Sequence, residues 1–243
     1  MKKALILSGI YWDEPLQRHQ QFAKYLSDCG FEVVFVERIM SSRFEFSKFI
    51  DVVKKRLFKE GEYSQKNKNA KSKKIKIFDY KFVNPEENIF RWLNEKKVDE
   101  LIRENGDKFD LVINYLPINT TRMIIDKIKY KMLIYDCVRN FAEWKGYRSS
   151  VIKEEEWLIE KCDKIFTDSF FLTDNMKEKS NKEVVQFLPI ANDAWLQGCK
   201  EKKVSYIKNI AYFGSVENHI DIDTLKELHE NGFNVHFWGV NAK

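Results

Sequence analysis

The chain has 243 residues, of which 44% are hydrophobic, 14% aromatic and 33% charged, with a formal net charge of +5. This length and apolar content exclude a disordered or low-complexity chain and bound the molecule at one large or two modest globular domains. No apolar stretch approaches the roughly 20 residues of a membrane helix. The four cysteines (Cys29, Cys137, Cys162, Cys199) are widely spaced without a CxxC pair, and the four histidines add no ligand-like spacing, so a disulfide framework and a zinc module are both excluded.

At the N-terminus, Met1-Lys2-Lys3 and the apolar residues behind them lead into Tyr11-Trp12-Asp13-Glu14 with no small-residue cleavage site. A buried first strand over Ala4–Ile10 is therefore expected rather than a signal peptide, and with reduced thiols the expected location is cytoplasmic. Pro15 suits the first turn of a helix running to Cys29 and closed by Gly30, and Phe31–Glu37 reads as the next strand. In this βαβ unit Gly9 lies at the strand's carboxyl end, with Tyr11 and Trp12 on the following loop. Gln17, Arg18 and His19 open the helix, at the edge where open parallel sheets bind ligands. The alternative for that triplet is a solvated first turn.

Residues 38–74 differ in composition. Phe46, Phe49, Ile50, Val53 and Leu57 keep helical spacing, and ten cationic residues from Lys54 to Lys76 face only Glu60 and Glu62. Two readings stand: a helix packed on the sheet followed by a solvated loop, or a basic amphipathic surface over residues 44–76 that touches anionic lipid. Nucleic acid is not expected as a partner, because no nucleic-acid-binding motif accompanies the lysines.

Strands are then expected at Ile75–Asp79, Phe109–Leu116, Lys131–Cys137, Lys164–Thr167 and Val184–Leu188. Helices are expected from Asn84-Pro85 to Asn105, over Thr120–Ile128, over Ser150–Cys162 with Glu154–Glu156 as a solvated face, and from the Ser169 cap to Lys179. This alternation indicates an α/β fold with a doubly wound parallel sheet over residues 1–188. An aperiodic linker, 189–204, follows. In 205–243, the apolar run Ile210–Phe213 stops at Gly214-Ser215, Ile222, Leu225 and Leu228 share a helical face, and Phe233–Trp238 reads as another strand. The expectation is a first βαβ unit of a second Rossmann-like domain, incomplete in this chain. Its uncovered apolar residues and open strand edge suggest self-association through 205–243.

Two Rossmann-like halves joined by a linker suggest the GT-B architecture. The chain resembles the family 4 glycosyltransferases, in particular their bacterial cell-envelope and capsule branch. Three places carry the resemblance: Gln17 to Ala23 with Gly30 and Phe35-Val36-Glu37; Leu133 to Val138, with its tyrosine-aspartate-cysteine strand end; and Tyr212 to Val216 followed by Asp221 to Leu225. Arg139-Asn140 stand where the branch usually has two aspartates.

The resemblance implies hexosyl transfer, of retaining type, from a nucleotide-diphosphate sugar to a glycan or lipid-linked acceptor, without a metal. It implies a catalytic-site position for Asp136, acceptor-side positions for Gly9, Tyr11, Trp12, Gln17, Arg18 and Arg139, and donor-phosphate contacts for Gly214 and Ser215. Each has a plainer alternative. Asp136 caps its own loop, the arginines make surface ion pairs, Tyr11 and Trp12 pack against the linker, and Gly214 is only a tight turn. At the level of the chain, the alternative is an acceptor-binding subunit whose donor half comes from a second polypeptide. In either case weak donor binding and no transfer are expected of the isolated chain.

Overall fold

A computed structural model describes residues 1–14, 16–39, 74–83, 90–143, 149–189, 206–214 and 220–238. The chain divides into two compact units, Met1–Pro189 and Ile190–Lys243. The amphipathic and lysine-rich readings over 46–73, the helix start at Asn84–Glu87, most of the linker, Pro15 and Ser215 lie outside the described residues.

In the first unit the chain runs β1 (Lys3–Leu7), α1 (Arg18–Asp28), β2 (Glu32–Val36), β3 (Ile75–Phe78), α2 (Arg91–Asn105), β4 (Lys108–Asn114), α3 (Asn119–Lys127), β5 (Lys129–Cys137), α4 (Ser149–Lys161), β6 (Lys164–Thr167), α5 (Phe170–Lys179) and β7 (Glu183–Gln186). The strands form one sheet in the order β3-β2-β1-β4-β5-β6-β7, and every adjacent pair is parallel. This is the doubly wound, Rossmann-like α/β arrangement. Its strand order reverses between β1 and β4, so the crevice at their carboxyl ends is the expected ligand position.

Burial explains why the central strands read as continuous apolar runs. Ala4–Leu7 and Val33–Val36 are wholly inaccessible because helices cover both faces of the sheet. The edge strand β3 instead alternates, with Ile75 and Ile77 buried and Lys76 exposed. Helix α1 buries His19, Gln20, Ala23, Leu26 and Ser27, a stripe at helical spacing. Gly30, with φ +89°, ends its turn in a conformation that side chains with a Cβ resist. Asn94 of α2 takes both hydrogen bonds of the Val83 backbone at 2.9 Å and so anchors the loop arriving from β3.

Two expectations change. Strand β1 ends at Leu7 rather than Ile10, because the chain bends at Gly9 and Ile10. Glu154–Glu156 is not a uniformly solvated face. Glu155 is buried and accepts a 2.6 Å hydrogen bond from the Tyr135 hydroxyl, while Glu154 lies 3.5 Å from Arg122. The Trp12 ring meets Phe35 edge-on at 5.1 Å, and its backbone N–H donates to the Glu37 carboxylate at 2.7 Å.

In the second unit β8 (Asn209–Phe213), α6 (Ile222–Glu230) and β9 (Asn234–Trp238) form a parallel βαβ unit, with Asn209 level with Asn234 and Phe213 with Trp238. Asp221 caps α6 by accepting the Thr224 N–H at 3.0 Å.

Candidate functional site

The carboxyl edge of the seven-stranded sheet gathers polar groups from four strand ends onto the first turn of α1. Ser8, one residue beyond β1, has its hydroxyl 2.9 Å from Nδ1 of His19. The imidazole lies flat on the Tyr115 ring just past β4, centroids 3.6 Å apart and planes 17° from parallel. At the end of β5, Asp136 holds Nε of Arg18 at 2.7 Å. Nη1 of Arg18 donates to the carbonyl of Phe187, and its guanidinium rests over the Phe22 and Phe187 rings at 5.2 and 5.5 Å. Asp168, immediately after β6, completes the group. Arg18 thus reaches from the start of the first helix to β5 and to the segment beyond β7, 169 residues away in sequence.

Electrostatically the cluster is a carboxylate pair around one guanidinium. Burial pushes the Asp136 carboxyl up from its usual range, and Arg18 and Tyr115 pull it back. Burial likewise raises Asp168, again opposed by Arg18. His19 is held down to about 3, first by burial and then by the positive charges of Arg139 and Arg18, so it is a neutral stacking partner. The Tyr115 hydroxyl is pushed up by burial and by the Asp136 charge. Cys137, beside Asp136, has its thiol pushed up to about 12 by burial, which removes it as a nucleophile. Among the described residues, Nη2 of Arg18 is buried without a hydrogen-bond partner, while the Tyr115 hydroxyl interacts with the Asp136 carboxylate. Buried polar atoms usually find a partner, so the unpaired guanidinium N–H marks a place for a ligand or water.

Next to this pair an open groove of about 410 Å³ runs between the β5–α4 loop and the start of α5. Arg139, Asn140, Glu143, Asp168, Ser169 and Phe171 line it. Ser169 caps α5 by accepting the Leu172 N–H at 3.3 Å. No group of three or more His, Cys, Asp or Glu suited to a metal occurs among the described residues.

Of the residues singled out in the sequence, Asp136, Arg18 and Arg139 come together at this edge. Asp136 is fully buried, so it meets Arg18 rather than bulk solvent. The surface ion pair expected as the plainer alternative for Arg18 is replaced by a buried one. Gly9 is packed closely enough that a Cβ would sit 3.2 Å from a Leu116 methyl. The Tyr11 ring lies under the Arg38 guanidinium at 5.0 Å. Gln17 precedes α1, with its N–H on the Gln20 side chain at 2.8 Å. In the second unit, the Gly214 N–H donates to the Trp238 carbonyl at 3.0 Å, at φ +146°, and a Cβ there would come within 2.9 Å of the Tyr212 hydroxyl.

Sequence reasoning passed over Ser8, Tyr115, Asp168 and Phe171. The strand-end rule that picked out Asp136 applies equally to Asp168, which follows Thr167 at the end of β6. Tyr115 carried no such signal, being one aromatic in an apolar run.

A solved structure of sucrose-phosphate synthase from Thermosynechococcus elongatus is similar over 98% of this chain and 70% of its own, with a TM-score of 0.58 at 9% identity. The fold is one that GT-B glycosyltransferases share. UGT89C1 of Arabidopsis thaliana follows at 14% identity, 89% of this chain, 58% of its own and a TM-score of 0.44. TcCGT1, solved in complex with UDP, matches at 9% identity over 89% of this chain and 57% of its own, with a TM-score of 0.42. No protein-family model matches the chain, and no curated protein is significantly similar to it.

Proposed function

We propose that the chain is a glycosyltransferase of GT-B type that moves a sugar from a nucleotide-diphosphate donor to a carbohydrate acceptor, with Met1–Pro189 on the acceptor side and Ile190–Lys243 contributing to the donor side. The observation that carries this reading is the convergence of Ser8 and Tyr115 on His19, and of Asp136 and Asp168 on Arg18, at the edge where the sheet's topology reverses. The fold likeness to a sucrose-phosphate synthase supports the reaction class.

In such a transfer, negative charge develops on the leaving diphosphate. Its stabilisation calls for N–H groups and a helix start, and on this reading the donor phosphates lie beside Gly214 and Ser215, ahead of α6, with the Gly214 N–H itself taken by the Trp238 carbonyl. Asp136, paired with Arg18, holds the acceptor edge in shape. On this reading the reaction is retaining, and the acceptor is a glycan or lipid-linked glycan of the cell envelope or capsule. The enzyme would then work at the cytoplasmic membrane face through residues 44–76, and cosedimentation that is equal with neutral and anionic vesicles would remove that last element.

The test is nucleotide binding. UDP titrated into labelled protein should shift the amide resonances of β8 and of the start of α6, weakly, since one turn supplies few contacts, and Gly214→Val should abolish the shifts. If UDP leaves 209–230 unmoved while the protein is folded, the donor assignment fails.

A further inference from the structure

We infer that the groove between the β5–α4 loop and the start of α5 is a binding site for an uncharged sugar ring, with Phe171 as its stacking face and Asp168 as the carboxylate that takes its hydroxyls. Among the groove's lining residues, Glu143 and Asp168 outnumber Arg139, the one cation. A phosphate or diphosphate entering there would add like charge beside two carboxylates, a repulsion strengthened where water is thin. A neutral polyol meets no such penalty. Its hydroxyls donate to Asp168 and Glu143 and accept from Arg139 and Asn140.

The aromatic wall points the same way. Phe171 is 58% exposed although it lines a groove and is the second residue of a helix whose next residue, Leu172, is buried. An aromatic ring left in water forgoes much of its burial energy, and covering it with the apolar C–H face of a sugar recovers part of that. Small-ligand sites combine such apolar walls with a few convergent polar groups.

Asp168 suits the polar role through its place in the cluster. It is half-buried at the groove wall, next to the Arg18–Asp136 pair, which neutralises itself. It lines the groove beside Ser169, whose side chain hydrogen-bonds and so orients its carboxylate. Asp136, being fully buried, acts as a positioning residue: it holds Arg18, whose charge sits between the two carboxylates. Only in naming the bound sugar an acceptor does this inference rest on the glycosyltransferase reading.

Saturation-transfer NMR on the full chain with maltose, cellobiose and lactose, each at millimolar concentration, tests the site. At least one should give ring-proton signals, Phe171→Ala and Asp168→Asn should each weaken binding about tenfold, and Lys108→Gln, at the far end of β4, should leave it unchanged. Inorganic pyrophosphate should not displace the sugar. Silence from all three sugars overturns the site, as does binding that both groove variants leave intact or that pyrophosphate competes away. Sugar binding without any UDP response would keep the groove and remove the transferase reading; the reverse would keep the transferase and remove the groove.

Discussion

Burial shifts two groups of the site in opposite directions, the His19 imidazole down and the Asp136 carboxyl up, and a pH series separates them. His19 stays neutral in the fold, with its pKa lowered from 6.5 to about 3. The unfolded chain protonates this imidazole first as pH falls, so its contribution is fully present above pH 6.5 and is lost on descending toward 3. His19→Gln should therefore flatten the loss of thermal stability across that window. A variant as acid-sensitive as the parent would show that the Ser8–His19–Tyr115 stack opens before it titrates. Asp136 behaves in the other sense. Its folded pKa lies above the usual value, so the stability tied to it is greatest in acid and falls as pH rises through the folded pKa. Arg18→Ala removes the counter-charge and raises that pKa further. At neutral pH the variant should lose about 3–5 kcal/mol, the usual cost of stranding a buried charge, and recover part of it on acidification. A loss that is the same at pH 4 and 7, read by denaturant midpoints, would mean that the pair is better hydrated than its burial indicates.

At the scale of the element, the parallel βαβ of β8, α6 and β9 shows what amphipathic pattern without cover produces. Helix α6 has good start chemistry, with Asp221 accepting both the Thr224 N–H at 3.0 Å and its hydroxyl at 2.7 Å. Yet none of its residues is buried, and Phe213, Phe237 and Trp238 are 69%, 45% and 52% exposed. Phe213 and Trp238 stack across the two strands at 5.3 Å, an apolar pair facing water. Self-association through this unit is accordingly part of the proposed behaviour of the chain. Light scattering should give an apparent mass that rises with concentration, and Phe213→Ser with Trp238→Ser should return it to the monomer value. A concentration-independent monomer mass for the parent chain would retire the idea. Helix α5 poses the same question on a smaller scale: its first two residues, Phe170 and Phe171, are exposed because the helix begins at the groove rather than over the core.

For the molecule as a whole, what was legible in the sequence is what depends on local pattern. Apolar runs without alternation marked strands buried on both faces, the alternation with helices marked a parallel sheet, and Gly30 and Ser169 marked helix ends, because each reflects a neighbour within a few residues. Even the candidate edge was legible, since in parallel sheets ligands gather beyond strand carboxyl ends and Asp136 and Arg18 lie close to such ends. Which residues meet there was not. The pairing of Arg18 with Asp136 spans 118 positions, and nothing local distinguishes a surface arginine from one drawn under the sheet's edge. The folding of His19 onto Tyr115, the withdrawal of Glu155 from a charged run to meet Tyr135, and the opening of a groove beside Asp168 were all decided by the order in which the strands assemble. Strand order brings distant side chains to one edge, and burial there sets their charge and their partners; the sequence by itself carries only the short-range terms.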